Sequence, residues 1–517
     1  MRRTSCNMTL VVTLLTLLAG PLLAETLSLQ TRRRGEEPAE SGNLSVEYRS
    51  VQWDAPKTAV IVCDMWAKHW CAGATSRVGQ MAPRMNAFLA EARRRGALIV
   101  HAPSGGMNHY EDHPARKRAQ QAPRADNLPD GIDKGCRELE VEKGQTWPVD
   151  QTDGGCDCQP QCPQDSESMD RRQIAVLEIA PEDAITDSGV ECWNLLEARG
   201  VEHVLMVGVH TNMCVLGRPF GIRNLVRAGK EVVLVRDLTD AMYNSRKAPF
   251  VPHVRGTELV IEYIERLICP TTASSALLGG PALRFEEDKR PHVAILVSDD
   301  HYHADETFPV FAHELRDRWG CYVTLLHGEG TADIRSIDEL DTADVLVLYI
   351  RRLALPEGQL GKIRGFLNAG KPLVALRTAS HAFDIKKPGP EWTAQWPEFD
   401  AEVLGGSYAG HGPNPLGSDI APAEGAEGHP VLKGVEPARW HSTGSLYYTA
   451  PIRDDATLIQ VGSIPDRTEP VTWTRAYGNA RVFYTALGHP DDFDQPAFRR
   501  LLVNGIFWAM DREVPQP

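Results

Sequence analysis

The stretch HVLMVGVHTNMCV, residues 203–215, decides the fold of the first half of the chain. It opens with a continuous apolar run, which is typical of a strand buried on both faces of a parallel sheet. Similar runs occur at residues 59–63, 97–100, 174–177 and 231–235, with helical patterns between them. Because strands alternate with helices, we predict an open parallel sheet covered by helices on both faces.

The same alternation starts again after residues 271–290, which lack it and form the predicted linker. Apolar runs return at residues 292–297, 322–326, 344–349 and 373–376. The predicted fold class is therefore α/β, with two doubly wound three-layer α/β/α domains and mainly parallel sheets.

The length of 517 residues fits this division, because single cores rarely grow beyond about 250–300 residues. We predict a lead-in segment at residues 25–55 that is polar and without apolar periodicity. The first domain is predicted at residues 56–270 and the second at residues 291–512.

Residues 1–24 have the pattern of a secretory signal peptide. Two basic residues, Arg2 and Arg3, precede an apolar run at residues 10–18, and the small residue Ala24 ends the segment. We therefore expect a secreted or periplasmic protein that does not associate with a membrane after cleavage. An uncleaved membrane anchor is the alternative.

The composition and net charge of the chain limit the kinds of molecule that it can bind. The chain is 42% hydrophobic and has a net charge of −14, so the phosphates of nucleic acid would be repelled. We expect a small-molecule substrate and no nucleic-acid partner, and leave homo-oligomerisation open.

Polar residues follow the predicted strands of the first domain at their carboxyl ends, where ligands bind in open α/β sheets. Asp64 and Trp66 follow the run at residues 59–63, and His101 ends the next run. Thr211 and Cys214 follow the run at residues 203–208. We expect Asp64, His101 and Cys214 to meet in one cleft, with Trp66 and Thr211 contacting the substrate.

A strand ending in Asp-Met, followed far downstream by G-V-x-T-x-x-C-V, resembles the isochorismatase-like cysteine hydrolases, which include amide hydrolases. The resemblance covers roughly residues 56–270. It implies that Cys214 is the nucleophile and that Asp64 accepts its proton. A backbone turn that opens a helix would favour the thiolate and hold an oxyanion.

The chain departs from that family at its third catalytic residue, which is a lysine. The corresponding stretch, residues 175–183, contains none. A carboxylate beside a thiol raises the pKa of the thiol, so a cation is needed to compensate. Lys68, Arg172 and His101 are the candidates to replace it. Arg218 is predicted to bind an anionic substrate or to form a salt bridge, and a degenerate, non-catalytic domain is the rival interpretation.

Asp64 with His69 resembles the metal ligands of nicotinamidases, but the spacing differs from that of the family. We therefore interpret His69, His109 and His113 as surface residues and expect no metal at them.

The second domain has histidines after its predicted strands, at His303, His381 and His489, and a G-x-x-R-V-F-Y-x-x-L-G-H motif at residues 478–489. These features resemble the ThuA-like (trehalose-utilisation) family over roughly residues 290–512. The resemblance implies a flavodoxin-like fold of the class I glutamine amidotransferase type and a sugar-related ligand. The three histidines are predicted to bind the substrate.

No cysteine occupies residues 378–381, where amidotransferases carry their nucleophile. Ser380 with His381 and His489 is an alternative catalytic arrangement. We expect no cofactor, with a divalent metal at His303, His381 and His489 as a weaker alternative.

The insertion at residues 104–172 carries Cys156, Cys158 and Cys162, with Cys136 before them. In an exported protein such a group predicts disulfides, and the C-x-C-x3-C spacing matches no strong zinc pattern. A metal is the weaker alternative there.

These observations favour a cysteine hydrolase that attacks the C–N bond of a small amide, fused to a sugar-related domain. The alternatives are a non-catalytic carbohydrate-binding protein and an enzyme whose chemistry lies only in the second domain.

Overall fold

The computed structural model describes residues 25–35, 46–299, 301–329 and 333–516. The predicted signal peptide at residues 1–24 lies outside these ranges. Among the described helices, none is long and apolar enough to cross a membrane.

The first domain is built on an eight-stranded sheet with the strand order β2-β1-β10-β9-β8-β3-β5-β7. A short antiparallel pair, β4 with β6, stands apart from it. The strands are β1 (Thr26–Arg34), β2 (Val46–Asp54), β3 (Thr58–Cys63), β4 (Trp66–Lys68), β5 (Leu98–Ala102), β6 (Asp170–Gln173), β7 (Ala184–Ile185), β8 (His203–Val209), β9 (Glu231–Asp240) and β10 (Thr271–Thr272). The helices are α1 (Ala72–Arg94), α2 (Pro114–Gln120), α3 (Gly189–Ala198), α4 (Ile222–Arg227), α5 (His253–Leu267) and α6 (Ser275–Leu278).

The six strands from β10 to β7 are parallel. The chain adds β5 and β7 on one side of β3 and then β8, β9 and β10 on the other side, so the strand order reverses between β3 and β8, as in a doubly wound sheet. β3 and β8 lie at the centre because nearly every residue in them is apolar and buried. The loops after β3 and β8 therefore flank the point where this fold class binds its ligands.

The second domain has a ten-stranded sheet with the order β13-β12-β11-β14-β16-β24-β23-β22-β19-β20. Two further antiparallel pairs are β15 with β17 and β18 with β21. The strands are β11 (His292–Ser298), β12 (Tyr322–Glu329), β13 (Asp333–Ile334), β14 (Val345–Ile350), β15 (Leu355–Pro356), β16 (Leu373–Leu376), β17 (Thr393–Ala394), β18 (Gly410–His411), β19 (Ser418–Pro422), β20 (Trp440–Ser442), β21 (Tyr447–Tyr448), β22 (Thr457–Ile464), β23 (Arg467–Tyr477) and β24 (Ala480–Thr485). The helices are α7 (Ala304–Asp317), α8 (Glu357–Asn368) and α9 (Pro496–Ala509).

The parallel strands of this sheet run in the order β12-β11-β14-β16-β24, which is the flavodoxin-like order. Antiparallel strands β23, β22, β19 and β20 extend the sheet on one side. The predicted α/β fold class with two doubly wound domains is thus confirmed.

Two local predictions need correction. Residues 174–177 form a turn, and the strand in that place of the sheet is β7. Residues 25–55, predicted as a lead-in without periodicity, provide β1 and β2 at the edge of the first sheet. Alternate residues of β1, such as Leu27 and Leu29, are buried, so the segment does have a two-residue period.

Candidate functional site

The carboxyl ends of β3 and β8 bring the two predicted reacting groups together. Asp64 follows β3 with a left-handed backbone (φ 47°), a conformation that non-glycine residues adopt at a cost. Gly208 in β8 lies directly against it: a Cβ atom there would stand 1.9 Å from the Cys63 carbonyl oxygen. Only glycine lets β8 approach β3 this closely, and the turn after β8 therefore reaches Asp64.

Cys214 lies in a five-residue π-helical turn, Thr211–Val215, that follows β8 and the cis peptide Val209–His210. Its thiol hydrogen-bonds to the carboxylate of Asp64. Asp64 is fully buried, whereas Cys214 is partly exposed. The turn is too short to supply the helix dipole that the sequence suggested, so the thiol depends on its side-chain neighbours.

The electrostatics of this pair follow from burial. Burial and the negative charge of Asp64 raise the pKa of Cys214 to about 12. Burial also raises the pKa of Asp64, although hydrogen bonds from Cys214 and Ser104 oppose the shift. The proton therefore stays on the sulfur at rest, beside a carboxylate that is ready to accept it.

Arg218 provides the positive charge that the stretch at residues 175–183 lacks. Its Nε lies 3.9 Å from Asp64 Oδ2, and its guanidinium hydrogen-bonds to Cys214 and lowers the pKa of that thiol. The other candidates are placed elsewhere: Lys68 is exposed on β4, and Arg172 is exposed and paired with Asp170. The salt-bridge alternative for Arg218 thus has structural support.

Ser104 is a site residue that the sequence did not single out. Its backbone N–H and its hydroxyl both donate to the Asp64 carboxylate, at 2.5 and 3.0 Å. It follows β5 at the same edge of the sheet, and a hydroxyl in that position was the signal that could have identified it.

His101 does not join this group, which corrects the prediction of a catalytic role. It is fully buried, and its two ring nitrogens pair with Gln173 Oε1 at 2.7 Å and Asp183 Oδ2 at 3.1 Å. Asp183 also binds Arg93. Both ring nitrogens are therefore committed to a structural network.

The predicted substrate contacts of Trp66 and Thr211 stay predictions, because both side chains are buried against other parts of the domain. Trp66 stacks on His69 with ring centroids 5.7 Å apart. Thr211 hydrogen-bonds to Thr239 at 2.7 Å. His69 is buried, which corrects its interpretation as a surface residue, whereas His109 is exposed.

An open cavity adjoins Cys214, and the insertion forms its far wall. Trp147 of the insertion packs on Tyr263, with ring centroids 4.8 Å apart. Glu142 forms a buried two-point ion pair with Arg223 at 2.6 and 2.8 Å. The cavity thus combines aromatic and charged surfaces next to the thiol.

The second domain has a polar pocket around Arg377, which follows β16 with a left-handed backbone (φ 40°). Its guanidinium is buried between the rings of Tyr302 and Tyr447, 4.4 and 4.5 Å from their centroids. It donates to the Ala486 carbonyl and to the hydroxyls of Tyr302 and Ser445. These partners are uncharged, and Nε of Arg377 has no hydrogen-bond partner among the described residues.

Two of the three predicted histidines lie near this pocket. His381 stands 6.5 Å from the Tyr447 ring, and His489 stands 5.9 Å from the Tyr302 ring. His303 does not join them: it is 69% exposed and faces Glu306, which corrects its predicted place in the pocket.

Two alternatives involve these histidines, a catalytic arrangement with Ser380 and a divalent metal site, and both have little support. Ser380 hydrogen-bonds to His381 at 3.2 Å but also donates to the Arg377 carbonyl, while His489 pairs with Thr443. Within the described ranges, the histidines do not form a metal-binding group.

The three clustered cysteines of the insertion have a fourth partner that the sequence did not single out. Cys156, Cys158 and Cys162 cluster with Cys71, the residue before α1, whereas Cys136 lies near Arg227 and lines the Cys214 cavity. All ten described cysteines are free thiols in the structure.

Comparison with known proteins agrees with the second resemblance. Residues 294–509 match the family model of ThuA, trehalose utilisation. No curated protein matches the chain.

Three similar solved structures cover both types of domain. A putative ThuA-like protein from Bacteroides uniformis shares 17% identity over 44% of this chain and 95% of its own, with a TM-score of 0.35. A cysteine hydrolase from Pseudomonas syringae shares 17% identity over 43% of this chain and 91% of its own, with a TM-score of 0.27. An isochorismatase family protein from Desulfovibrio vulgaris shares 16% identity over 43% of this chain and 96% of its own, with a TM-score of 0.25.

Proposed function

We propose that the first domain is a cysteine hydrolase that cleaves the C–N bond of a small amide, with Cys214 as nucleophile. The observation that carries this proposal is the hydrogen bond from the Cys214 thiol to Asp64, with the Arg218 guanidinium against both groups. A nucleophile, a base and a cation at the reversal point of a doubly wound sheet are the parts that such chemistry requires.

In the first half-reaction the thiol proton moves to Asp64 as the sulfur attacks the amide carbonyl carbon. Arg218 stabilises the negative charge as it passes from the carboxylate to the sulfur and the carbonyl oxygen. Asp64 then gives its proton to the leaving nitrogen, the C–N bond breaks, and an amine departs from a Cys214 thioester.

In the second half-reaction Asp64 accepts a proton from water, whose oxygen attacks the thioester carbonyl. The C–S bond breaks, the proton returns to the sulfur, and a carboxylic acid leaves. The backbone N–H groups of Met213 and Val215 both donate to the His210 carbonyl, so neither is available to hold the oxyanion. Arg218 is accordingly the main group that we assign to this charge.

The experiment is turnover of a panel of small amides by the full chain, followed by mass analysis of the Cys214 peptide after rapid acid quenching. We expect amine release and an acyl adduct on Cys214, both lost in Cys214→Ala. Cys192→Ala is the matched control, because Cys192 is buried in α3 away from the cavity. Amide turnover that survives Cys214→Ala would refute the proposal.

The second domain supports a second function, the binding or processing of a sugar-derived group. The supporting observation is Arg377, a buried guanidinium with an unpaired Nε between two tyrosines whose hydroxyls lie 3.4 Å apart. Hydroxyl-rich or anionic ligands would satisfy such donors, and the ThuA match concerns trehalose utilisation.

Titration calorimetry with sugars and sugar acids tests this function. Binding that is lost in Arg377→Met and kept in Cys214→Ala would assign the sugar to the second domain. Sugar binding without any amide turnover would favour the carbohydrate-binding alternative, and catalysis lost in His489→Ala alone would place the chemistry in the second domain.

We also propose export of the chain, on the basis of the basic and apolar pattern of residues 1–24. The expected result is a mature protein that begins at Glu25 in a periplasmic or culture-medium fraction. A chain retained in the cytoplasm with its first residues intact would contradict the proposal.

A further inference from the structure

Four cysteines meet at the start of α1. Cys71 precedes the helix, and Cys156, Cys158 and Cys162 come from a polar loop of the insertion. Their four sulfur atoms all lie within 4.8 Å of one another. The Cys71 sulfur is 3.3 Å from that of Cys156 and 3.8 Å from that of Cys158.

These distances fit a tetrahedral metal centre. Zinc binds thiolate sulfur at about 2.3 Å, so the sulfurs of a tetrahedral four-cysteine site lie about 3.8 Å apart. Divalent metals that prefer oxygen ligands do not suit a set of four sulfurs, whereas zinc does. The two buried and two partly exposed ligands leave no open position for a substrate, which is the mark of a structural site.

The backbone around the cluster is arranged to stabilise thiolates. Each of the four sulfurs accepts a hydrogen bond from a peptide N–H group. The donor and acceptor pairs are Ala74 to Cys71, Cys162 to Cys156, Gly73 to Cys158 and Ala72 to Cys162, the last three at 3.3–3.4 Å. Such bonds favour the charged form of a thiol over its neutral form.

Two arginines lie beside the cluster, where four thiolates and one divalent ion would leave a net negative charge, and both also pair with carboxylates. The buried guanidinium of Arg77, one and a half turns into α1, interacts electrostatically with Cys71. Arg246 donates to the carbonyl oxygen of Cys158 at 3.2 Å.

The loop that carries three of the ligands has little apolar surface and is held by polar contacts. Asp153 accepts from Asn244 at 2.6 Å, and Asp157 accepts from the backbone of Ser245 at 2.8 Å. A bound metal would add coordinate bonds to the N–H to sulfur hydrogen bonds that already join this loop to α1, and would hold the insertion more firmly.

We propose that Cys71, Cys156, Cys158 and Cys162 bind one zinc ion, which ties the insertion to the start of α1. The site is independent of the hydrolase function, because its ligands take no part in the Cys214 chemistry.

The first test measures zinc by mass spectrometry in the full chain, purified without chelator or reductant. We expect about one zinc per chain, and a loss of most of it in Cys158→Ser and in Cys162→Ser. Cys136→Ser is the matched control, since Cys136 belongs to the same insertion but lies outside the cluster, and it should keep its zinc.

A second test avoids dependence on the folding of the serine variants. The wild-type chain loaded with cobalt in place of zinc should show the visible absorption bands of tetrahedral cobalt with thiolate ligands. Two disulfides among the four cysteines, stoichiometric iron instead of zinc, or a chain that binds no cobalt would each overturn the proposal.

Discussion

A carboxylate and a thiol that share one buried pocket oppose each other electrostatically. The negative charge of Asp64 raises the pKa of the Cys214 thiol, and Arg218 lowers it. In the proposed mechanism the three side chains therefore act as one unit: Asp64 removes the proton, and Arg218 stabilises the negative charge that results.

Arg218→Ala should reduce kcat/KM about 100-fold, equivalent to ~3 kcal/mol of transition-state stabilisation. Arg218→Lys should recover about tenfold of that loss, because it restores the charge without the planar fork. Steady-state kinetics of the three proteins on the same amide check this. An effect on KM alone would instead assign Arg218 to binding of an anionic substrate.

Ser104→Ala removes one hydrogen bond that favours the charged form of Asp64 and keeps the backbone N–H of residue 104. The pKa of Asp64 should rise, so the carboxylate becomes protonated at higher pH than in the wild type. The acid limb of the kcat/KM profile should therefore move upward by about one pH unit. A change in the maximum rate with an unmoved acid limb would contradict this positioning role.

Some of these residues could be predicted from the sequence and others could not. Cys214 and Asp64 end apolar runs that are buried on both faces, so the sheet brings them together. Arg218 and Ser104 depend on how loops turn after the strands, which the pattern does not specify. His101 lies at the expected edge, but its side chain is committed to Gln173 and Asp183.

At the scale of elements, the close approach of β3 and β8 determines the site. The Gly208→Ala variant tests this approach, because its Cβ would clash with the Cys63 carbonyl. We expect unfolding free energy to fall by more than about 3 kcal/mol, and amidase activity to fall with it.

Gly229→Ala is the matched control for that experiment. Its φ of 87° is also left-handed, but nothing lies within 4 Å of the added Cβ. Chemical denaturation should show a loss of only about 1–2 kcal/mol from backbone strain. An equal loss of unfolding free energy in both variants would mean that Gly208 is not required for the close contact between β3 and β8.

Strands could be predicted from the sequence where a continuous run of apolar residues was long enough. Continuous apolar runs identified β3, β5, β8 and β9, because strands buried on both faces need them. β1 and β2 escape prediction because their polar and apolar residues alternate instead of forming a continuous apolar run. The run at residues 174–177 was misread because four apolar residues also suit a turn, and Val176 is 46% exposed there.

At the scale of the whole molecule, ion pairs join the two domains. Arg255 of α5 is buried and binds Asp317 of α7 at 2.7 Å as well as Glu262 in its own helix at 2.8 Å. Arg290 adds a contact to Glu258 at 2.6 Å. Breaking such a buried network leaves uncompensated charges behind.

Arg255→Met should therefore lower the unfolding free energy by about 3–5 kcal/mol, because Glu262 loses its strongest partner and Asp317 keeps only His313 among the described residues. Calorimetry should show the two domains unfolding in separate transitions. Lys143→Met is the control: its pair with Glu140 is exposed, and its loss should cost less than about 1 kcal/mol. A single transition at the wild-type temperature would show that the domains are joined by other contacts.

The cavity beside Cys214 has two walls of different origin. The reacting groups stand on the sheet, which any chain of this topology must build. The opposite wall, with Trp147 and Glu142, belongs to an insertion that the sheet does not need. If the proposed hydrolase function holds, residues that select the substrate and residues that break the bond lie in separate stretches of the chain. Exchange of residues 105–172 between relatives should then change the substrate and leave Asp64, Ser104 and Cys214 in place.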